Sequence, residues 1–286
     1  MVALALATSL LWGLADFGGG LLTRRMPALT VVVVSQALAA AVLGAVVLAT
    51  GAWSEAGARL WFAVAAGLIG PVAMLFFYRA LALGPMGVVS PLVATAVVVP
   101  VGVALALGER PGPVQYLGFL VAFGGVVLAG GPQAGGAAVR RRTLGYTVGA
   151  AFGFGAVLAL IAEASTSVTG LFLALFVQRV CNVLAGGAAL WAGARRGTPV
   201  LPDGGVAAVR EALPSLTFVG LADVAANATY ALAARIGPVT VAAVLASLYP
   251  VVTALAARGV LRERLRAAQS LGAGLALAGT LLLASG

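Results

Sequence analysis

RALALGPMGVVSPLVATAVVVPVGVALALGERPGPVQYLG, residues 79–118, and LAARIGPVTVAAVLASLYPVVTALAARGVLRERLRAAQSLG, residues 232–272, are two versions of one pattern. Each carries a Gly-Pro pair, Gly84-Pro85 or Gly237-Pro238, then an apolar run, then a Glu-Arg pair. Glu109 stands 24 residues after the first proline and Glu263 stands 25 after the second. Gln115 and Gln269 follow their glutamates at a gap of six, and Gly118 and Gly272 follow at a further three. Tyr78 and Tyr230 precede their Gly-Pro pairs by six and seven residues. Gln36 and Gln178 fall in corresponding second apolar segments. One such match is chance; the ordered set reads as a duplication.

Outward from these stretches the chain resolves into ten apolar segments, near residues 2–22, 28–50, 59–83, 86–107, 114–131, 144–164, 168–193, 213–235, 238–258 and 266–285. About 20 apolar residues in helical conformation cross a bilayer core, whereas barrel strands need only ~9–11 and alternate. The breaks carry turn chemistry or charge, as at Arg24 to Pro27, Gly108 to Pro113, Arg195 to Pro202 and Arg258 to Arg266. With 62% of 286 residues hydrophobic, 9% charged and a mean hydropathy of +1.11, this much apolar surface needs lipid as its solvent. The expected fold is therefore an all-α integral membrane protein of ten transmembrane helices. Residues 1–131 form one five-helix repeat, 132–143 a basic linker and 144–286 the second repeat. Five is odd, so the second repeat enters from the opposite face, giving a 5+5 inverted repeat. Such repeats are common among secondary transporters and place substrate near the midplane. Residues 2–22 have no basic segment before them and read as a first span, not a cleaved signal.

Composition excludes several functions. All 17 cationic residues are Arg and there is no His. A net charge of +9 suggests nucleic acid, but most arginines sit in gaps between apolar runs rather than in an arm interleaved with aromatics. With no His and Cys181 alone, a zinc site is not expected, and a Ser-His-Asp or Cys-His arrangement cannot be built. No Walker pattern is present. Neither enzyme chemistry nor a cofactor is expected.

Ionisable residues inside a span cost about 2.5–3.5 kcal/mol on insertion scales and are functional candidates by default. Asp16 lies on a face of the first span with Trp12, Gly13 and Gly19 or Gly20, by steps of three and four. The eighth span has a matching stripe of Gly220, Asp223, Asn227 and Tyr230. The seventh contributes Gln178, Arg179 and Asn182, with Arg179 near mid-depth and in need of an anion. An ion pair of Arg179 with Asp223 or Asp16 is one reading, and substrate contact is the other. Both hold together if the solute is a zwitterion, with an acid for its ammonium and the cation for its carboxylate. Tyr78, Arg79 and Tyr249 are secondary candidates. Arg79 and Glu163 lie near helix ends, where snorkelling also explains them. Pro71, Pro91, Pro100 and Pro250 fall within spans and free backbone groups that a neighbour or cavity water must satisfy.

Leu10 to Gly13 in the first span, the Gly-Pro joins, Gly108-Glu109-Arg110, Arg262-Glu263-Arg264 and Ser247 to Pro250 together resemble the drug/metabolite transporter superfamily, EamA type, over essentially the whole chain. The resemblance implies the 5+5 fold and export of amino acids or other small metabolites, by proton-coupled antiport or facilitated diffusion. The implied location is the inner (plasma) membrane. Many relatives are drawn with both termini inside. Here the loops after spans 1, 5, 7 and 9 carry twelve arginines and the other loops carry three, which puts the odd-numbered loops in the cytoplasm and both termini outside.

The resulting expectation is a secondary transporter of a small-molecule solute, working by alternating access in the lipid bilayer as a monomer or homodimer. Protons are a candidate coupling ion, because apolar surroundings disfavour the charged form of a carboxylic acid. A lipid scramblase and a passive channel are the competing functions.

Overall fold

A computed structural model of the protein describes residues 1–97, 99, 112–130, 141–164, 167–236, 245–246, 248–262 and 267–285. Ten α-helices and no strands form among these residues. In chain order they are α1 (Val2–Leu22), α2 (Ala28–Thr50), α3 (Leu60–Leu83), α4 (Met86–Ala94), α5 (Pro113–Gly130), α6 (Arg141–Ala164), α7 (Val168–Arg195), α8 (Gly205–Arg235), α9 (Tyr249–Val260) and α10 (Ala267–Ser285). By length and apolarity α1, α2, α3, α6, α7 and α8 are able to cross a membrane, and α5 and α10 contain shorter apolar stretches. This is a multi-pass membrane protein.

Local chemistry sets the helix limits. Pro27 and Pro85 occupy the N-caps of α2 and α4, where a missing N–H costs nothing. Gly51 ends α2 at φ +66°, a left-handed cap that a side chain would strain. The Ser167 hydroxyl caps α7 by accepting from the Gly170 N–H at 3.0 Å.

Three helices outrun the apolar segments that mark them in the sequence. α8 begins at Gly205 rather than 213, α6 at Arg141 rather than 144, and α7 continues to Arg195. In each case the additional residues include exposed arginines, which a helix extending past the hydrocarbon accommodates and a hydropathy reading does not register. Arg141 and Arg142 thus belong to the first turn of α6 instead of a linker. The Gly108-Glu109-Arg110 motif, Gly237-Pro238, Glu263-Arg264 and much of the fourth and ninth spans lie outside the described residues.

The main packing partners are α5 with α10, α3 with α6, α1 with α8, and α2 with α7. α3 also packs on α7, α2 on α8, α1 on α9, and α4 on α9, α10 and α6. The α5/α10 pair is unusually close. A methyl group at Gly125 would collide with the backbone of Gly272 and Ala276, and one at Gly279 with the backbone of Ala122. Small residues permit that approach in lipid, where packing rather than burial from water joins helices. The largest apolar core gathers Phe17, Val31, Phe77, Leu81, Met86 and Leu216, which all lie toward the arginine-rich ends of their helices.

Candidate functional site

Arg179 organises the polar centre. Its Nη1 donates to Gln36 Oε1 at 2.8 Å and its Nη2 to Asp223 Oδ2 at 2.5 Å, tying α7 to α2 and α8. The pair is nearly enclosed, with the Arg179 side chain 10% and the Asp223 side chain 21% exposed. Asn227, one turn on in α8, donates from Nδ2 to the Asp223 carbonyl at 2.7 Å and to Oδ1 at 3.4 Å. A charge pair out of water needs its remaining hydrogen-bonding groups satisfied to offset desolvation, and Gln36 and Asn227 supply most of that. Arg179 Nε still lacks a partner.

Asp16 differs. It sits mid-way along α1, is half-buried, and among the described residues no hydrogen bond or ion pair holds it. Asp223 is near enough for its charge to be felt at Asp16, and Tyr78 lies within range of Asp16, Asp223 and Arg179. An aromatic cluster lies one helical turn from the acid. Trp12, one helical turn away, has its ring centroid 6.2 Å from that of Tyr230 and 6.1 Å from that of Tyr249, edge-on to the latter. The Tyr78 hydroxyl lies against Gly19, where a side chain would displace it. Trp12, Asp16, Asp223, Asn227, Tyr230 and Tyr249 are all part-exposed although they lie in the interior of the helix bundle. They sit on α1, α8 and α9, and α1 packs against both of the others.

Threonines tie these helices together. Thr8 Oγ1 lies 2.9 Å from Thr229 Oγ1 and joins α1 to α8, while Thr253 Oγ1 donates to the Gly13 carbonyl at 3.1 Å and joins α9 to α1. These ties span more than 200 residues of chain, and nothing in the sequence marks them.

The structure therefore brings together Trp12, Asp16, Tyr78, Arg179, Asp223, Asn227, Tyr230 and Tyr249. Gln178 and Asn182 are buried but turned elsewhere: a methyl at Gly70 of α3 would meet Asn182 Nδ2 at 2.8 Å and Gln178 Nε2 at 3.3 Å. Gln178 Oε1 and both amide atoms of Asn182 have no hydrogen-bond partner. Arg79 is exposed at the end of α3, 5.8 Å from the Tyr146 ring centroid, with Arg142 at 5.9 Å from the same ring. It takes no part in this group. Gln36 is a site residue that sequence reasoning passed over. Its polarity in mid-span and its match to Gln178 were the available signals.

On the arginine-rich side of Asp16 and Asp223 lies the large apolar core with Phe17, Phe77, Leu81 and Leu216. Toward the other side the described residues form a smaller cluster around Ala5, Ala233, Tyr230 and Leu245.

A family model, the EamA-like transporter family, matches residues 1–131 and 142–285. The chain is also similar to a protein solved as a crystal structure, at 20% identity and a TM-score of 0.59 over 98% of this chain and 94% of that one, a likeness of fold alone. Among curated proteins, none matches the sequence.

Proposed function

The chain belongs to the EamA-like transporter family, and on that premise we propose that it is a secondary carrier moving a small metabolite by alternating access at the Asp16 site. The observation that carries this reading is a charge imbalance at mid-membrane. Of the Asp, Glu and Arg residues in the sequence, only Asp16, Arg179 and Asp223 fall deep within spans. Arg179 is engaged by Asp223 and Gln36, so Asp16 is left without a counter-charge. A lone acid in such a place is costly, and a visiting cationic group or proton relieves it.

The aromatic lining suits an ammonium beside an apolar body, because ring faces attract cations. An amino acid would set its ammonium at Asp16, and its carboxylate would need Arg179 to loosen its hold on Asp223. Export, and antiport against protons taken up at Asp16, belong to the same reading.

Packing supports a 5+5 repeat. Advance each helix by five places and α1/α8 becomes α6/α3, α2/α8 becomes α7/α3, and α1/α9 becomes α6/α4; α2/α7, α4/α9 and α5/α10 return themselves. Among the helix pairs of the described residues, α4/α10, α2/α3, α1/α3, α1/α4 and α3/α4 have no counterpart of similar extent. The breaks correspond too. α4 gives way to a 3-10 turn at Thr95, ten residues after Pro85, and α9 starts after a turn at Leu248, ten residues after Pro238. Interrupted helices in matching positions flank the substrate in many inverted-repeat carriers, and Tyr249 stands at one of these breaks.

The test is counterflow and pH-driven flux in proteoliposomes, with a panel of amino acids, sugars and organic cations. Saturable counterflow of one class, lost in Asp16→Asn with the protein still folded, is the expected result. Undiminished counterflow in Asp16→Asn would remove Asp16 from the site, and ion conductance without counterflow would replace the carrier by a channel.

A further inference from the structure

A cavity lies away from the Asp16 site, at the arginine-rich end of the bundle. It is a groove of about 320 Å³ between the start of α2, the end of α7, the following loop and the start of α8, at the lower end of the ~300–1,000 Å³ range of small-molecule sites. Val34, Leu190, Trp191, Val200, Leu201 and Val206 line it, and its surface is almost wholly apolar. The loop is fastened in place: Thr30 Oγ1 donates to the Val200 carbonyl, and the Thr198 N–H bonds the Gly193 carbonyl at 3.0 Å. The groove is thus built into the fold.

Its rim is net positive, with three arginines against the exposed acids Asp203 and Glu211. The Arg195 guanidinium lies 4.2 Å from the ring centroid of Trp191, itself part of the groove wall. Arg196 follows it, and Arg210 stands one turn after Val206 on α8. All three arginines are exposed, and none has an ion-pair partner among the described residues. The groove opens where helices leave the hydrocarbon, so an occupant must be apolar at one end and anionic at the other.

We propose that this groove is a binding site for an anionic phospholipid, with an acyl chain against Trp191, Leu190 and Val206 and its phosphate between Arg195, Arg196 and Arg210. Basic pockets between helices hold anionic headgroups in this way, and each nearby arginine adds roughly fivefold to the attraction. A free phosphate would have no use for the apolar wall. A zwitterionic lipid would fill the groove without using the arginines.

Trp191 supplies the readout. In a variant with Trp12, Trp53 and Trp61 each replaced by Phe, Trp191 is the sole tryptophan, and lipids brominated along the acyl chain quench it on contact. Reconstituted bilayers would be titrated with brominated phosphatidylglycerol or brominated phosphatidylcholine. Half-maximal quenching is expected at an at least about fivefold lower mole fraction of the anionic lipid. Adding Arg195→Gln, Arg196→Gln and Arg210→Gln together should abolish that preference, while Val206→Phe should reduce quenching by both lipids by occupying the groove. Soluble inorganic phosphate should leave the preference for the anionic lipid intact. Equal quenching by both lipids, a preference that survives removal of the arginines, or displacement by free phosphate would each overturn the proposal. None of these readings depends on transport.

Discussion

At the residue scale, the three mid-membrane charges predict an asymmetric mutational response. Arg179→Gln leaves the Asp223 carboxylate without its cation in an apolar surrounding, a loss of up to about 3–5 kcal/mol for a fully enclosed pair and less here because Asp223 is part-exposed. Asp223→Asn keeps a side chain able to accept from Arg179, so it should cost less. The double variant Arg179→Gln/Asp223→Asn should recover part of the loss. Asp16→Asn should leave stability unchanged or raised, since it removes an uncompensated charge. Thermal unfolding of the four variants in detergent checks the order; a destabilised Asp16→Asn would mean that Asp16 has a structural partner. Much of this was legible in the sequence, because Asp16, Arg179 and Asp223 are the only Asp, Glu or Arg residues deep in spans and one cation must find an acid. Which acid was not legible. Residues on separate helices meet only through packing, and Gln178 and Asn182 stand next to Arg179 in the sequence although they point to α3.

At the element scale, the α5/α10 seam predicts a sharp contrast between neighbouring glycines. Gly125 lies against the backbone of Gly272 and Ala276, whereas Gly124 faces open space. Gly125→Leu should therefore destabilise by about 1–3 kcal/mol, the usual cost of overpacking, and Gly124→Leu should be nearly silent. Size-exclusion profiles and unfolding temperatures of the two variants decide it; equal effects would show that the seam is not a close backbone contact. Helix existence was readable from apolar runs because a span must be about 20 residues long to cross lipid. Helix ends were not. The arginine-bearing turns of α6, α7 and α8 carry no hydropathy signal, and only a cap such as Gly51 or Ser167 fixes an end from sequence.

At the scale of the whole molecule, the position of the large apolar core selects one face of the bilayer. Phe17, Phe77, Leu81, Met86 and Leu216 pack together toward the arginine-rich side, while Tyr230 lies toward the opposite side and is part-exposed. On the proposed carrier reading, this arrangement opens toward the side of the N-terminus. On the orientation that the arginine count predicts, that side is external. In a Cys181→Ser background, single cysteines would be placed at Ser54 in the loop after α2, at Thr198 in the loop after α7, at Tyr230 and at Met86. An impermeant maleimide added to intact cells should label the Ser54→Cys and Tyr230→Cys proteins and spare the other two. Thr198→Cys should react only after the cells are permeabilised, and Met86→Cys, whose position is fully buried, should stay slow until the core opens. A transported solute should then slow Tyr230→Cys and speed Met86→Cys together, since alternating access exchanges one opening for the other. Labelling of Thr198→Cys from outside would reverse the orientation without touching the mechanism. Simultaneous ready labelling of Tyr230→Cys and Met86→Cys would describe a continuous pore, and the carrier reading would fall with it.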